Sequence, residues 1–208
     1  MLGIWTSEGW IFIPSNGRKR NKMQNYLSGL TESIKKKACK IKLIITDVDG
    51  VLTDGGIIYD DNGLEYKRFN VKDGLIVHHL RKNGIKIGAI TGRNSKVVAD
   101  RCDELNFDFH YHGVKDKGQK LEEVLKDLGF SHDEVAYLGD DLIDLPILTL
   151  VGLAVCPADA LPYIQERVHF VSSRNGGEGV FRELGDLILE SKGLLSGIIE
   201  NLVAKKHE

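Results

Sequence analysis

The sequence predicts an α/β fold built on a doubly wound, mostly parallel sheet, and three observations carry that prediction. Short apolar runs rich in β-branched residues alternate with longer stretches of helical spacing, the order that gives parallel strands with helices on both faces. Each apolar run stops at a turn carrying acidic, basic or hydroxyl groups, and ligands of such sheets bind outside the carboxyl ends of their strands. The 208 residues make one domain's length, with enough apolar content for a real core.

In chain order, Met23 begins a segment, Gln24 to Cys39, that reads as an amphipathic helix feeding the first core strand, Lys42 to Thr46. Gly56 to Tyr59 and Glu65 to Asn70 flank the turn Asp60-Asp61-Asn62-Gly63, which predicts a β-hairpin flap beside the site. Then follow helix Gly74 to Asn83, strand Lys86 to Ile90, helix Ser95 to Leu105, the weaker strand Phe107 to Tyr111 and helix Gly118 to Leu128. Strand Glu134 to Leu138, helix Asp141 to Leu150, strand Gly152 to Val155 and a late helix near Val180 to Ser191 complete a core over residues 41–191. Residues 23–40 form the leading helix, and 192–208 a terminal helix or tail. The first 22 residues fit poorly: the aromatics of Trp5 to Pro14 precede the positive charge, the reverse of a secretory signal. They are expected to be disordered or a mis-annotated extension, with Met23 the true start.

The chemistry concentrates at four strand ends. In KLIITDVDGVLTDG, Lys42 to Gly55, Asp47 and Asp49 are two apart in an extended chain and can address one ligand. Gly50 allows the tight turn that brings amides near an anion. The strand KIGAI ends in Thr91-Gly92-Arg93, a hydroxyl, a flexible amide and a guanidinium suited to an anion. Lysines 115 and 117 precede the helix from Gly118, and EVAYL runs into Gly139-Asp140-Asp141-Leu142-Ile143-Asp144. Asp140 and Asp144 are four apart and can face one side of the first helical turn. Acids at a helix start also stabilise the helix dipole and cap its amides, a structural reading that stands beside the functional one for Asp141 and Asp144.

The order DVDGVLTDG, ITGR, one lysine, then GDDLID resembles the haloacid dehalogenase superfamily of phosphohydrolases, over about Lys42 to Ser191. FNVKDG (Phe69 to Gly74), TGR (Thr91 to Arg93) and GGEGVFRE (Gly176 to Glu183) resemble more closely the 3-deoxy-D-manno-octulosonate 8-phosphate phosphatases of lipopolysaccharide synthesis. The resemblance implies a Rossmann-like fold. Asp49 to Thr91 holds only the flap and one helix, and Lys117 to Asp140 one helix and a strand, so there is no room for a cap domain. It also implies a homotetramer whose flaps form a central barrel, which would protect an otherwise exposed hairpin edge.

By that resemblance Asp47 is the nucleophile that forms an aspartyl-phosphate, and Asp49 the acid and base. Two like unit charges about 4 Å apart cost on the order of 4 kcal/mol at an effective dielectric of 20, so an anionic nucleophile facing a phosphate needs cations. Mg²⁺ held by Asp47, the Asp49 carbonyl and Asp140 suits an all-oxygen site. A lysine supplies further charge and Thr91 holds phosphoryl oxygens. Lys115 competes for the lysine role, and Lys117 is preferred because the family's lysine stands at the helix start. Asp141 and Asp144 are expected to support Lys117 or nearby waters. The family's sugar-acid positions fall on Asp49, Asn70, Val71, Lys72, Asp73, Gly74, His78, Arg93, Arg101 and Lys117, with Arg93 able to pair bidentately with a carboxylate. Lys72 stands where those enzymes usually have arginine, and His78 where they have arginine or lysine. Arg93 argues against the phosphatase of 2-keto-3-deoxynononate 9-phosphate, which has glutamate there.

Composition removes other classes. A formal net charge of −2 gives no nucleic-acid signature, and no apolar run reaches membrane-spanning length. Three cysteines, Cys39, Cys102 and Cys156, lack metal-like spacing and suit a reducing cytoplasm. The seven histidines show no metal-binding spacing. A response-regulator receiver carries its acidic pair early and its phosphorylated aspartate mid-chain, unlike this order. A catalytically idle phosphatase-like regulatory domain differs from an enzyme by activity alone.

Overall fold

The computed structural model describes Leu2–Thr6, Gly9–Ile13 and residues 30–204. Strands β1 (Leu2–Thr6) and β2 (Gly9–Ile13) form an antiparallel hairpin with Trp5 opposite Trp10. Isoleucine, tryptophan and phenylalanine favour extended backbone, and the rest of the expected extension, residues 14–22, lies outside the described residues. The hairpin is a unit separate from the body of the chain. Much of the expected helix Gln24 to Cys39 falls outside the described residues, and its described part is α1 (Glu32–Lys40).

The body carries a six-stranded sheet in the order β10-β9-β8-β3-β6-β7, every neighbouring pair parallel. Its members are β3 (Leu43–Thr46), β6 (Lys86–Ile90), β7 (Phe109–Tyr111), β8 (Val135–Leu138), β9 (Leu153–Cys156) and β10 (Phe170–Val171). The two-residue edge strand β10 is too short to give a sequence signal. The hairpin of β4 (Ile58–Tyr59) and β5 (Glu65–Tyr66) is the flap, stopping well short of Asn70. Because β3 lies between β6 and β8, the chain winds outward in both directions from it. The crevice at that reversal is where such folds place a ligand.

Helices α2 (Val71–Lys82), α3 (Lys96–Glu104) and α4 (Lys117–Leu128) start at Asn70, Ser95 and Asp116, whose side chains accept a free first-turn amide. A 3₁₀ turn over Leu142–Asp144 and the short α5 (Leu145–Leu148) replace the single helix expected from Asp141 to Leu150, with Pro146 in the first turn of α5. After α6 (Pro162–Gln165) come α7 (Val180–Ser191) and α8 (Leu195–Ala204). Leu43, Ile45, Val135 and Tyr137 pack in one cluster with Leu121 and Val124 of α4 and Ile147 of α5. Strand alternation turns Ile44 and Ala136 to the opposite face, and α2 packs against both α7 and β6. Buried on both sides, the central strands are nearly continuous in apolar residues and hold their carboxyl ends rigidly.

Candidate active site

Asp47 follows β3, and its amide donates to the Leu138 carbonyl of β8 at 2.8 Å. One carboxylate oxygen accepts from the Val48 amide at 2.7 Å, and the other lies 2.9 Å from the Lys117 ammonium. Lys117 opens α4 and is buried, whereas Lys115 is exposed, so Lys117 is the lysine that faces Asp47. The Lys117 ammonium also donates to Asp144 Oδ1 at 2.7 Å and to the Tyr137 hydroxyl at 3.3 Å, and that hydroxyl donates to Asp144 at 2.6 Å. Asp144 Oδ2 accepts the amides of Asp140 and Asp141. Asp144 thus fixes the lysine and shapes the turn together. Asp141, exposed, caps the 3₁₀ turn through the Leu142 amide.

Burial opposes the Lys117 ammonium, but Asp47 and Asp144 outweigh it and raise its pKa. Burial raises the Asp47 pKa against the pull of Lys117, and burial first, then Asp144, holds Tyr137 well above the usual phenol range. Asp140 is pushed up to about 8 by burial and then by the carboxylates of Asp144, Asp47 and Asp141.

Whether these residues suit a metal ion is decided by their oxygens. Asp47, Asp140 and Asp144 each offer one within 4.8 Å of the others. Asp144 is committed to Lys117, Tyr137 and two amides, while Asp140 Oδ1 is buried with no hydrogen-bond partner. An all-oxygen donor set crowded with negative charge fits a hard divalent cation such as Mg²⁺. Gly50, with φ at 82°, makes the approach possible, since a Cβ there would lie 2.1 Å from Asp140 Oδ2.

Thr91 is buried at the end of β6, its amide on the Tyr111 carbonyl and its carbonyl on the Val114 amide. Arg93 faces the flap: its Nη2 donates to the Tyr59 hydroxyl at 3.0 Å and lies 3.0 Å from Glu65. Lys67 pairs with Asp49, and Ser95 donates to Glu65. Sequence reasoning missed Tyr59, Glu65, Lys67, Ser95 and Tyr137. Charges two apart on a strand share a face, which was the available signal for Glu65 and Lys67. A tyrosine in a buried strand needs a hydroxyl partner, which was the signal for Tyr137.

The remaining expected substrate positions scatter. Asn70 caps α2 and donates to the Gly177 carbonyl at 3.3 Å, while Val71 and Lys72 are exposed on the first turn. Asp73 is buried and accepts the Arg182 amide at 2.7 Å, capping α7, whose own N-cap, Gly179, has no side chain. A Cβ on Gly74 would lie 2.7 Å from Leu105 and 2.9 Å from Arg101, so its smallness serves helix packing. His78 lines a surface cleft with Arg81, Glu104 and Asn106. Arg101 packs over Phe69 and pairs with Glu104.

A family profile described as haloacid dehalogenase-like hydrolase matches residues 111–184, the span that carries Lys117, Asp140 and Asp144. With a carboxylate pair at the central strand end and that lysine across from it, fold and site define a hydrolase of this class. The 3-deoxy-D-manno-octulosonate 8-phosphate phosphatase of Yersinia pestis is 40% identical over 168 residues, 81% of this chain and 90% of that protein. The Escherichia coli K12 enzyme is 43% identical over 159 residues, 76% of this chain and 85% of its own. Among solved structures, the Yersinia pestis enzyme superposes with a TM-score of 0.79 at 36% identity, covering 94% of this chain and 96% of that one. The Moraxella catarrhalis enzyme, in complex with magnesium ion, phosphate ion and KDO, gives 0.81 at 35% identity, covering 83% and 99%. The chain belongs to the 3-deoxy-D-manno-octulosonate 8-phosphate phosphatase family.

Proposed function

We propose that this chain is a Mg²⁺-dependent phosphomonoester hydrolase that converts 3-deoxy-D-manno-octulosonate 8-phosphate to the free sugar acid and phosphate, in the supply of lipopolysaccharide precursor. The observation that carries the chemistry is Lys117, buried between Asp47 and Asp144, beside an Asp140 oxygen that has no partner. Asp47 attacks phosphorus and the bond from phosphorus to the sugar oxygen breaks, while Asp49 gives that oxygen its proton. Water then attacks the aspartyl-phosphate, Asp49 takes the water's proton, and the Asp47 carboxylate is restored. Bound at Asp47, Asp140 and the Asp49 carbonyl, Mg²⁺ would supply charge neutralisation of the phosphoryl oxygens. Lys117, held by Asp144 and Tyr137, keeps a fixed positive charge on the same centre, and Thr91 with the neighbouring amides holds phosphoryl oxygens.

For the sugar acid, Arg93 is the carboxylate partner, with Asn70, Val71, Lys72, His78 and Arg101 toward the remaining hydroxyls. Open to water without a cap, the site needs further walls. Ile57, Ile58, Tyr59, Leu64 and Tyr66 leave about half of the flap's apolar surface exposed, which supports self-association as a homotetramer. No helix among the described residues is long and apolar enough to cross a membrane. The free thiols Cys39, Cys102 and Cys156 support a reducing cytoplasm.

The test is phosphate release from a panel of sugar phosphates with Mg²⁺. The eight-carbon keto acid 8-phosphate should have the highest kcat/KM. A higher value for the nine-carbon acid, or for sugars without a carboxylate, would reassign the substrate.

A further inference from the structure

The flap reaches its own chain's site through Glu65 and Lys67, two charges to which the catalytic and binding roles assign nothing. Lys67, its side chain fully covered, pairs with Asp49 and lies 3.4 Å from Glu65 Oε1. Glu65 Oε1 is 3.0 Å from Arg93 Nη2, and Arg93 Nη1 is 3.7 Å from Asp49 Oδ2. The four charges close a ring of alternating sign. Ser95 donates to the second oxygen of Glu65, so one oxygen of that carboxylate is hydrogen-bonded and the other faces the two cations without a hydrogen bond. Burial opposes the Glu65 carboxylate, yet the Ser95 hydroxyl with the Lys67 and Arg93 charges holds its pKa below the usual value.

A guanidinium offers a carboxylate two bidentate edges, and both include Nη2. That nitrogen donates to the Tyr59 hydroxyl and stands 3.0 Å from Glu65 Oε1 as an ion pair, with no hydrogen bond to that oxygen. Arg93 Nη1 is buried with no hydrogen-bond partner. A carboxylate arriving at Arg93 therefore meets Nη2 tied to the flap's Tyr59 hydroxyl and faced by Glu65, while Nη1 is unpartnered but covered, so pairing with both nitrogens requires the flap to move.

We infer that Glu65 is a built-in stand-in for a substrate carboxylate: it latches the flap onto Arg93 and Ser95, and a sugar acid bound at Arg93 displaces it. Displacement also moves Lys67, which follows β5, and loosens its grip on Asp49. Glu65 and Lys67 are positioning residues, acting through Arg93 and Asp49. The inference deepens the reading of the substrate as a phosphorylated sugar acid and rests on it.

Two measurements separate the latch from the substrate. In the substrate-free full-length protein, Glu65→Gln and Lys67→Met should each speed amide hydrogen exchange over residues 57–68 by about tenfold or more, with the sheet strands unchanged. Unchanged flap protection in both variants overturns the latch. In kinetics, the ratio of kcat/KM on 3-deoxy-D-manno-octulosonate 8-phosphate to that on p-nitrophenyl phosphate should rise about threefold or more in Glu65→Gln. A fall or no change means that Glu65 orients Arg93 for substrate, and overturns displacement. A wild-type protein inactive on the sugar acid phosphate overturns the substrate reading and the displacement together, while the exchange result still decides whether the latch exists.

Discussion

Asp144 has no spare acceptor, because Lys117, Tyr137 and two backbone amides share its oxygens, whereas Asp140 keeps one buried oxygen free. That asymmetry separates two aspartates whose spacing alone gave both the same expectation. It also predicts different mutant behaviour. Asp47→Asn preserves shape and removes the proposed nucleophile, so kcat should fall by about 10³-fold or more with the circular dichroism melt unchanged. Substantial residual turnover would rule out the covalent route. Tyr137→Phe deletes one hydroxyl from the grip on Lys117 but leaves the Lys117–Asp144 pair, so a loss of about tenfold in kcat and about 1 kcal/mol of stability is expected. A loss as large as that of Asp47→Asn would give the phenol a direct part in the chemistry. Gly50→Ala places a Cβ against Asp140 in backbone that alanine resists, and calorimetry should find weakened Mg²⁺ binding.

At the scale of elements, helix starts with local caps were legible, as at Ser95, because cap and amide are neighbours in sequence. The cap of α7 was not. Its acceptor, Asp73, is 109 residues away, and no local pattern marks such a contact. Burial first pushes Asp73 up to about 6 from an ordinary 3.8, against the Arg182 amide and the charges of Arg101 and Arg182. A folded pKa above the unfolded one favours the fold fully below about pH 4, and that contribution is lost as pH rises through about 6. Relative to Asp73→Asn, wild-type unfolding free energy should therefore decline by up to about 3 kcal/mol from pH 4 to 7. Denaturant titrations of the two proteins at several pH values measure it. Parallel pH profiles would show that Asp73 is not the titrating group.

For the whole molecule, the doubly wound sheet was readable because alternation of apolar runs and helical spacing depends on local sequence, and the motifs fell at strand ends that parallel topology brings together. Asp47, Lys117 and Asp140 converge for that reason. The charge ring of the flap was hidden, since its members belong to separate elements and meet only when the hairpin folds down. The β4–β5 hairpin also presents Ile57, Ile58, Tyr59, Leu64 and Tyr66 to solvent together. Association through that surface would bury it, and would wall a site that has no cap. Light scattering should therefore give a mass near four chains, and Ile58→Lys with Leu64→Lys should reduce it to one, because buried like charges at a self-contact repel and lose hydration. The dissociated variant should retain turnover of p-nitrophenyl phosphate while losing tenfold or more in kcat/KM on the sugar acid phosphate, if neighbours complete the pocket. A wild-type monomer with full activity on that sugar would locate every specificity contact within one chain, and the flap's apolar face would then need another partner.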